Sequence, residues 1–346
     1  MNIVVLMGGS SAERGISLRT GAGIARALRA RGHDVTGLDP ATGAVLLPGT
    51  EEAAAPLPPQ ALAPREGTQL LEARPLERAE LVFLALHGGA GEDGTIQALL
   101  DLAGKTYTGS GMLASAMAMD KAVSKKLFEH AGIPTPAWRL YRKREGRVPD
   151  DAMAQALGGY PLVVKPNDEG STFGLTIVEN AQGLPAAYEE ALRYSNNVLI
   201  EAFIPGRELT VAVLGDRVLP IVEIKPKSGL YDYESKYTAG KSEYFCPADL
   251  DPAKTSEVQD LALRACVALD TAGVARVDFR LSPEGIPYCL EVNTIPGMTP
   301  TSLVPMAAKA VGLSFEDVCE RVAALALERA DKERRPASPR SELDRA

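Results

Sequence analysis

Four polar side chains in one stretch of the chain have the types and spacing of a cation site: Arg276, Asp278, Glu291 and Asn293. The runs Ala275-Arg276-Val277-Asp278-Phe279-Arg280-Leu281 and Ile286-Pro287-Tyr288-Cys289-Leu290-Glu291-Val292-Asn293 alternate apolar with polar, as half-buried strands do. Glu284-Gly285 between them reads as a two-residue turn, which predicts a hairpin. That register sets Asp278 opposite Glu291 and Arg276 opposite Asn293, with all four side chains on one face. Two carboxylates and an amide are hard oxygen donors, suited to Mg²⁺ shared with substrate phosphates. A cross-strand salt-bridge ladder would use the same residues, and the hairpin alone leaves both readings open. Gly297 and Pro300 favour a site, because they make an abrupt loop beside the polar cluster.

Groups suited to anions lie elsewhere. Lys165 ends an apolar strand just before Glu169-Gly170-Ser171-Thr172-Phe173-Gly174. A lysine there can neutralise phosphate oxygens while loop N–H groups and the Ser171 and Thr172 hydroxyls cradle them. The loop is not a Walker A motif, since GxxxxGK[ST] is absent. Alone it also reads as a hairpin with a surface lysine. Lys121, on a helix, gains weight only as a second phosphate contact. Glu201 and Glu208 flank Phe203 and Ile204, where an adenine could lie with a carboxylate on the ribose. On residues alone, a turn with two exposed glutamates is the simpler reading.

His87 ends a strand before Gly88-Gly89-Ala90-Gly91-Glu92-Asp93-Gly94, and a glycine-rich loop entering a helix is an anion site in waiting. Three histidines without paired spacing argue against zinc. Glu13 closes Ser10-Ser11-Ala12-Glu13, which matches a capping box. Its other reading is a carboxylate aimed at a substrate ammonium from the edge of a parallel sheet.

These residues need a scaffold, and the chain supplies strand–loop–helix units. The start, from Met1 to Gly9, reads as a first strand. Leu18, Ala22, Ala25 and Leu28 mark a helix closed by Gly32. Leu81 to Leu86 is a second strand, followed by a helix carrying Ile96, Leu99 and Leu100. Repetition of this kind predicts a parallel sheet. Residues 40 to 75 read mostly as loop, Asp120 to Ala131 as a helix, and Tyr160 to Lys165, Leu175 to Val178, Val198 to Glu201 and Leu209 to Leu214 as strands. Residues 225 to 246 read as irregular and polar, and the charged tail from Asp331 as disordered.

At 346 residues the chain has room for about two or three domains. A net charge of −8 argues against a general binder of nucleic acid or membrane surfaces. No apolar run approaches the roughly 18 residues of a membrane span. Four cysteines without CxxC spacing read as buried thiols of a reducing cytoplasm. A cation cluster, two lysines and a glycine loop together ask for phosphoryl transfer from a nucleotide. A nicotinamide dehydrogenase would need GxGxxG after the first strand, and Gly8-Gly9-Ser10-Ser11 does not supply it.

From about Asn2 to about Leu327 the chain resembles the D-alanine–D-alanine ligases of the ATP-grasp superfamily. The matching blocks include Gly8 to Arg14, Met119-Asp120-Lys121, Lys165-Pro166, Tyr231-Asp232-Tyr233-Glu234-Ser235-Lys236-Tyr237 and Glu291-Val292-Asn293-Thr294-Ile295-Pro296-Gly297-Met298-Thr299. The resemblance implies an ATP-grasp fold, α/β with an α+β ATP-binding part and an N-terminal parallel-sheet domain. It implies an N-terminal substrate-binding domain over 1–109, a central domain over 110–207 and a C-terminal catalytic domain over 208–330. A lid loop at 229–242 and a disordered tail at 331–346 complete the division. In such enzymes ATP phosphorylates one D-alanine and the amine of a second attacks the acyl phosphate, for peptidoglycan synthesis.

Carried over by motif, Asp278, Glu291 and Asn293 would hold two Mg²⁺ ions, with room for Mn²⁺ in their place and for a monovalent cation. Lys121, Lys165, Ser171 and Thr172 would meet the phosphates, and Glu201, Phe203, Ile204 and Glu208 the adenosine. Glu13 would bind the first D-alanine's ammonium, linked through Ser171 to Tyr237 of the lid. Arg276 and the Gly297 N–H would stabilise the tetrahedral intermediate, with Arg276 facing that intermediate and not the metal. His87, Lys236, Ser302 and Leu303 would serve the substrates. A cytoplasmic homodimer is implied. The sequence departs from the usual pattern at Gly15, at Thr172-Phe173 and at Ala202, where a lysine is common. Two alternatives stand: a ligase of this fold with D-serine or D-lactate as acceptor, and an inactive ATP-grasp binding protein. Lys236-Tyr237 argues against D-lactate, and the intact set Lys165, Asp278, Glu291 and Asn293 against decay.

Overall fold

The computed structural model describes residues 1–49, 70, 73–226 and 241–334. Strand β1 (Asn2–Leu6) is buried except at its first residue. A strand buried on both faces needs cover on both, which helices supply in a parallel sheet. β1 is flanked in parallel by β2 (Asp34–Asp39), whose outer edge takes the short antiparallel β3 (Ala44–Leu46), and by β4 (Leu81–Leu84). Helix Arg14–Ala30 makes the crossover from β1 to β2 and buries Leu18, Ala22, Ala25 and Leu28, the residues its periodicity had marked. The segment read as mostly loop contributes β3 and a short helix at Arg74–Arg78; its remainder lies largely outside the described residues.

A second, antiparallel sheet has the order β5-β8-β6-β7, from β5 (Trp138–Arg142), β6 (Leu162–Pro166), β7 (Thr176–Val178) and β8 (Asn197–Ala202). Helix Leu184–Leu192 packs Leu184, Ala187 and Ala191 against Leu162, Val164 and Ile200. The glycine loop joins β6 to β7, so Lys165 emerges at the mouth of that sheet.

The third sheet is antiparallel, with β9 (Arg207–Leu214), β10 (Arg217–Val218), β11 (Val222–Pro226), β12 (Ser242–Phe245), β13 (Val274–Leu281) and β14 (Pro287–Asn293). Its order is β12-β11-β9-β13-β14, with β10 on β9. β12 corrects the expectation that 225 to 246 is irregular throughout, because Glu243, Tyr244 and Phe245 pair with Lys225, Ile224 and Glu223. Helix Pro252–Ala268 buries Val258, Leu261, Ala262 and Ala265 against Val277, Phe279, Cys289 and Val292. Each fully buried valine, leucine or phenylalanine among these stabilises the fold by about 1.5–3 kcal/mol.

The β13–β14 hairpin has the predicted register by a different route. Asp278 pairs with Glu291 and Arg276 with Asn293. The connection is not the two-residue turn: Ser282 donates its N–H to Ile286 O at 3.0 Å, leaving Pro283, Glu284 and Gly285 as a three-residue loop. Gly285 has φ +80°, the left-handed residue such loops need. The pairing next to that loop sets Phe279 against Cys289, which continued would bring Asp278 opposite Leu290. A bulge at Leu290 inserts one residue and restores the pair.

After β14 the chain returns to the first sheet. Helix Phe315–Arg334 lays Val318, Val322 and Ala326 in one core with Ile24 and Leu28. That helix carries Asp331 to Arg334, so the tail expected to be disordered from Asp331 is helical over these four residues. Among the described residues no helix is long and apolar enough to cross a membrane, and all four cysteines are free.

Candidate active site

Asp278 and Glu291 keep side-chain exposures of 18% and 31% and face a cleft. The bulge explains how: Cys289 and Val292 go to the core, while Leu290 and Glu291 both stay on the cleft side. Asp278 accepts from Arg276 Nε at 2.9 Å, Arg276 Nη2 at 2.8 Å and Thr210 Oγ1 at 2.6 Å. The salt bridge is thus made along β13, not across to β14, and Arg276 faces Asp278 as well as the cleft. Glu291 Oε2 stands 3.5 Å from Lys121 Nζ, and Asn293 Oδ1 accepts the Ile295 N–H at 2.9 Å. Among the described residues there is no group of three or more His, Cys, Asp or Glu side chains that could hold a metal by itself. Two carboxylates and one amide leave coordination positions for phosphate and water, the arrangement that fits Mg²⁺.

A cavity of about 130 Å³ opens beside this hairpin, between the second and third sheets. Val163, Ile177, Phe203, Ile204, Leu209 and Leu290 give it an apolar lining, and Lys121, Lys165 and Thr172 a polar end. Glu201 is buried and does not sit in an exposed turn. Lys165 Nζ is 2.5 Å from its Oε1 and Lys125 Nζ 2.8 Å from its Oε2. Burial alone would raise the Glu201 pKa, but the two ammonium groups outweigh it and hold the carboxyl below its ordinary value. Glu208 pairs with Arg280 Nη1 at 3.2 Å, and Arg280 also donates from Nε to Ile204 O at 3.0 Å. The Arg280 guanidinium lies 5.6 Å from the Phe203 ring centre, bringing a cation to the pocket beside Ala202.

The glycine loop roofs this cavity in an unusual backbone. Ser171 and Thr172 have φ +50° and +61°, left-handed values that side chains rarely adopt. Ser171 Oγ donates to Glu13 Oε1, and Phe173 stacks on Tyr194 with ring centres 6.3 Å apart and planes at 25°. The bulk of Phe173 is therefore accommodated as an anchor for the loop.

On the other side of the Ser171–Glu13 contact lies a second cleft, of about 240 Å³. Glu13 occupies the N-cap position of helix Arg14–Ala30, yet its side chain makes no cap bond, so the capping-box reading is wrong. Gly88 lets Glu13 sit where it does: at φ +69° a Cβ there would lie 2.9 Å from Glu13 Oε2. His87 lines the cleft from below, with Nε2 3.1 Å from Thr20 Oγ1 and Nδ1 3.4 Å from Glu92 Oε1. At the start of the helix after the glycine-rich loop, Asp93 Oδ1 accepts the Thr95 N–H at 2.9 Å. Gly297, Ser302 and Leu303 close the far end. Ser302 Oγ accepts the Thr299 N–H at 3.0 Å.

The two cavities share Lys121, Gly170, Ser171 and Glu291. Among the described residues, then, the sequence-derived set converges on one pair of adjoining clefts. Lys236 and Tyr237 lie outside the described residues, as does most of the lid at 229–242. Three participants were missed: Lys125, Arg280 and Glu92. Lys121, Lys125 and Phe128 recur at helical spacing, and a lysine on an otherwise buried face was the available signal.

The sequence matches the family models described as D-ala D-ala ligase N-terminus, over residues 2–110, and D-ala D-ala ligase C-terminus, over residues 127–324. The chain belongs to the D-alanine–D-alanine ligase family. It is 48% identical to the D-alanine–D-alanine ligase of Syntrophotalea carbinolica, over 93% of this chain and 95% of that one. It is 45% identical to that of Gloeobacter violaceus, over 93% and 98%. Among solved structures it resembles the Bacillus anthracis D-alanine–D-alanine ligase complexed with ATP, with TM-score 0.77 and 31% identity over 96% and 99% of the two chains. The VanG D-Ala:D-Ser ligase from Enterococcus faecalis is as similar, with TM-score 0.78 and 32% identity over 94% and 98%. Within this ligase the N-terminal match takes in Glu13 and His87 and the C-terminal match Lys165 and the β13–β14 hairpin; Lys121 and Lys125 fall between them.

Proposed function

We propose that this ligase joins two D-alanine molecules to D-alanyl-D-alanine at the expense of ATP, providing a peptidoglycan precursor, and that the two adjoining clefts divide the work. The observation that carries this reading is their shared wall of Lys121, Gly170, Ser171 and Glu291. An apolar pocket for a base and a polar pocket for an amino acid then meet where a terminal phosphate would lie.

ATP would place its adenosine among Phe203, Ile204, Glu208 and Arg280. Glu201 would act there through the two lysines it holds. Lys121 and Lys165 would bind phosphate oxygens, with Thr172 beside them. Asp278, Glu291 and Asn293 would hold Mg²⁺, which when bound neutralises the phosphate oxygens. Glu13 would take the ammonium of the first D-alanine. The carboxylate oxygen of that D-alanine would bond to the terminal phosphorus as the bond to ADP breaks. The amine of the second D-alanine, its carboxylate held near Ser302 and Leu303 and its body near His87, would attack the acyl carbon and expel phosphate. Arg276 and the Gly297 N–H would stabilise the oxyanion. An acyl phosphate must be kept from water, which supports closure by the Glu13–Ser171 link and a lid carrying Lys236 and Tyr237.

Domains over 1–109, 110–207 and 208–330, a cytoplasmic homodimer, and tolerance of Mn²⁺ and of a monovalent cation belong to the same reading. The likeness to a D-Ala:D-Ser ligase favours D-serine as the second reading of the acceptor, since a hydroxyl is rejected only weakly by a small pocket. Phosphate release that requires ATP and D-alanine together, with the dipeptide seen by mass spectrometry, tests the proposal. No dipeptide from D-alanine, alone or mixed with D-serine, overturns it.

A further inference from the structure

Lys125 does not line either cleft, yet it is fully buried. An ammonium without solvent is costly, and the neighbouring turn of the same helix face carries Phe128 in the core. Its surroundings show what the charge is for. Lys125 Nζ lies 2.8 Å from Glu201 Oε2, while Lys165 Nζ lies 2.5 Å from Glu201 Oε1. Lys125 also donates to Thr135 Oγ1 at 2.7 Å, which in turn donates to Cys289 O at 2.8 Å. The chain of contacts therefore crosses from β8 and β6 of the second sheet to β14 of the third, behind the cavity that both sheets enclose.

We propose that Lys125 is a positioning residue that takes up one side of the Glu201 carboxylate and so leaves the charge of Lys165 free to attract nucleotide phosphates. The inference rests on the nucleotide reading of that cavity. Two ammonium groups around one carboxylate leave a net charge of +1, and of the two lysines it is Lys165 that lines the cavity. Without Lys125 the whole carboxylate charge falls on Lys165, and the remaining pair is neutral. In a site withdrawn from water, the difference between a neutral pair and a positive triad acts strongly on an approaching anion. Burial pushes the Lys125 pKa down and Glu201 opposes that push, so each of the two groups sustains the charge of the other.

The test compares the affinities of ADP and adenosine for the full chain by calorimetry, without added divalent cation. Lys125→Met should weaken ADP relative to adenosine by about tenfold, since roughly 1.4 kcal/mol corresponds to that factor. The double variant Lys125→Met/Glu201→Gln removes the carboxylate as well, and its ADP-to-adenosine ratio should return to within about fivefold of wild type. A structural role would instead weaken both ligands equally, or make the double variant worse than the single; either result overturns the proposal. An unchanged ratio in Lys125→Met overturns it too. Should that variant not fold, the double variant decides alone: a ratio within about fivefold of wild type supports the proposal, and a larger loss overturns it. Wild-type protein that does not bind ADP overturns the nucleotide reading and this inference together. Wild-type protein that binds ADP while the variants fail these expectations overturns this inference alone.

Discussion

Asp278 stands opposite Glu291 across β13 and β14, and the bulge at Leu290 is what keeps the two carboxylates together. A three-residue loop without the bulge would pair Asp278 with an apolar residue. The carboxylate pair should therefore act as a unit. Asp278→Asn and Glu291→Gln each keep the shape and remove one charge. Each should lower kcat for ATP-dependent phosphate release by about a hundredfold or more, because the cation that would neutralise the phosphates is then held less firmly. Both should also need more Mg²⁺ for half-maximal rate. A variant with near wild-type rate at low Mg²⁺ would remove that residue from the metal site.

The Ser171–Glu13 contact predicts a second kind of coupling. It joins the loop over one cavity to the helix beside the other, the proposed sites of nucleotide and amino acid. Ser171→Ala and Glu13→Gln should each reduce kcat/KM for D-alanine. Hydrogen bonds to charged groups contribute about 1.5–3 kcal/mol, so a double-mutant cycle should show coupling of that order. Strictly additive losses would mean that the contact has no part in turnover.

Local pattern made much of this site legible. Alternation in β13 and β14 gave the face shared by Asp278, Glu291, Arg276 and Asn293, and three- and four-residue spacing gave the buried side of helix Arg14–Ala30. The turn was misread because the bulge compensates it: one residue added at the loop is matched by one added at Leu290, and the paired residues come out the same. Glu13 was ambiguous for another reason. A carboxylate in the first turn of a helix satisfies a capping pattern on paper, and only the approach of Gly88 and the loop at Ser171 shows that it points away. Lys125, Glu201 and Lys165 come from one helix and two strands, so their convergence is a long-range fact that no local spacing encodes. Arg280 was passed over in the same way, since its partner Glu208 lies on β9; Glu92 lies in the same connection as its partner His87 and was within reach of local reading.

Gly88 offers a test of how closely Glu13 is held. Its φ of +69° and the 2.9 Å approach of Glu13 Oε2 leave no room for a methyl group. Gly88→Ala should cost about 1–3 kcal/mol of stability through backbone strain. It should also raise KM for D-alanine more than KM for ATP, because the displaced group is the carboxylate proposed to hold the D-alanine ammonium. Equal effects on both substrates would point to general disorder of the loop.

Glu169 supplies a prediction for pH. Burial chiefly, with Asp168 next, raises its pKa above the ordinary value of 4.5, while Lys121 opposes the shift. A carboxylate whose pKa is raised on folding binds its proton more readily in the folded state. Its effect on stability is therefore nil below the unfolded value and unfavourable above the folded one. The loss develops as pH rises from about 4.5 through the folded value. Glu169→Gln removes a group that must ionise under protest. Its backbone carbonyl, which accepts from Lys121 Nζ at 2.7 Å, is untouched. The variant should melt above wild type at neutral pH, and the difference should shrink to nothing as the solution is taken below the ordinary carboxylate range. A variant equally stabilised at both ends of that range would assign the effect to packing rather than to charge.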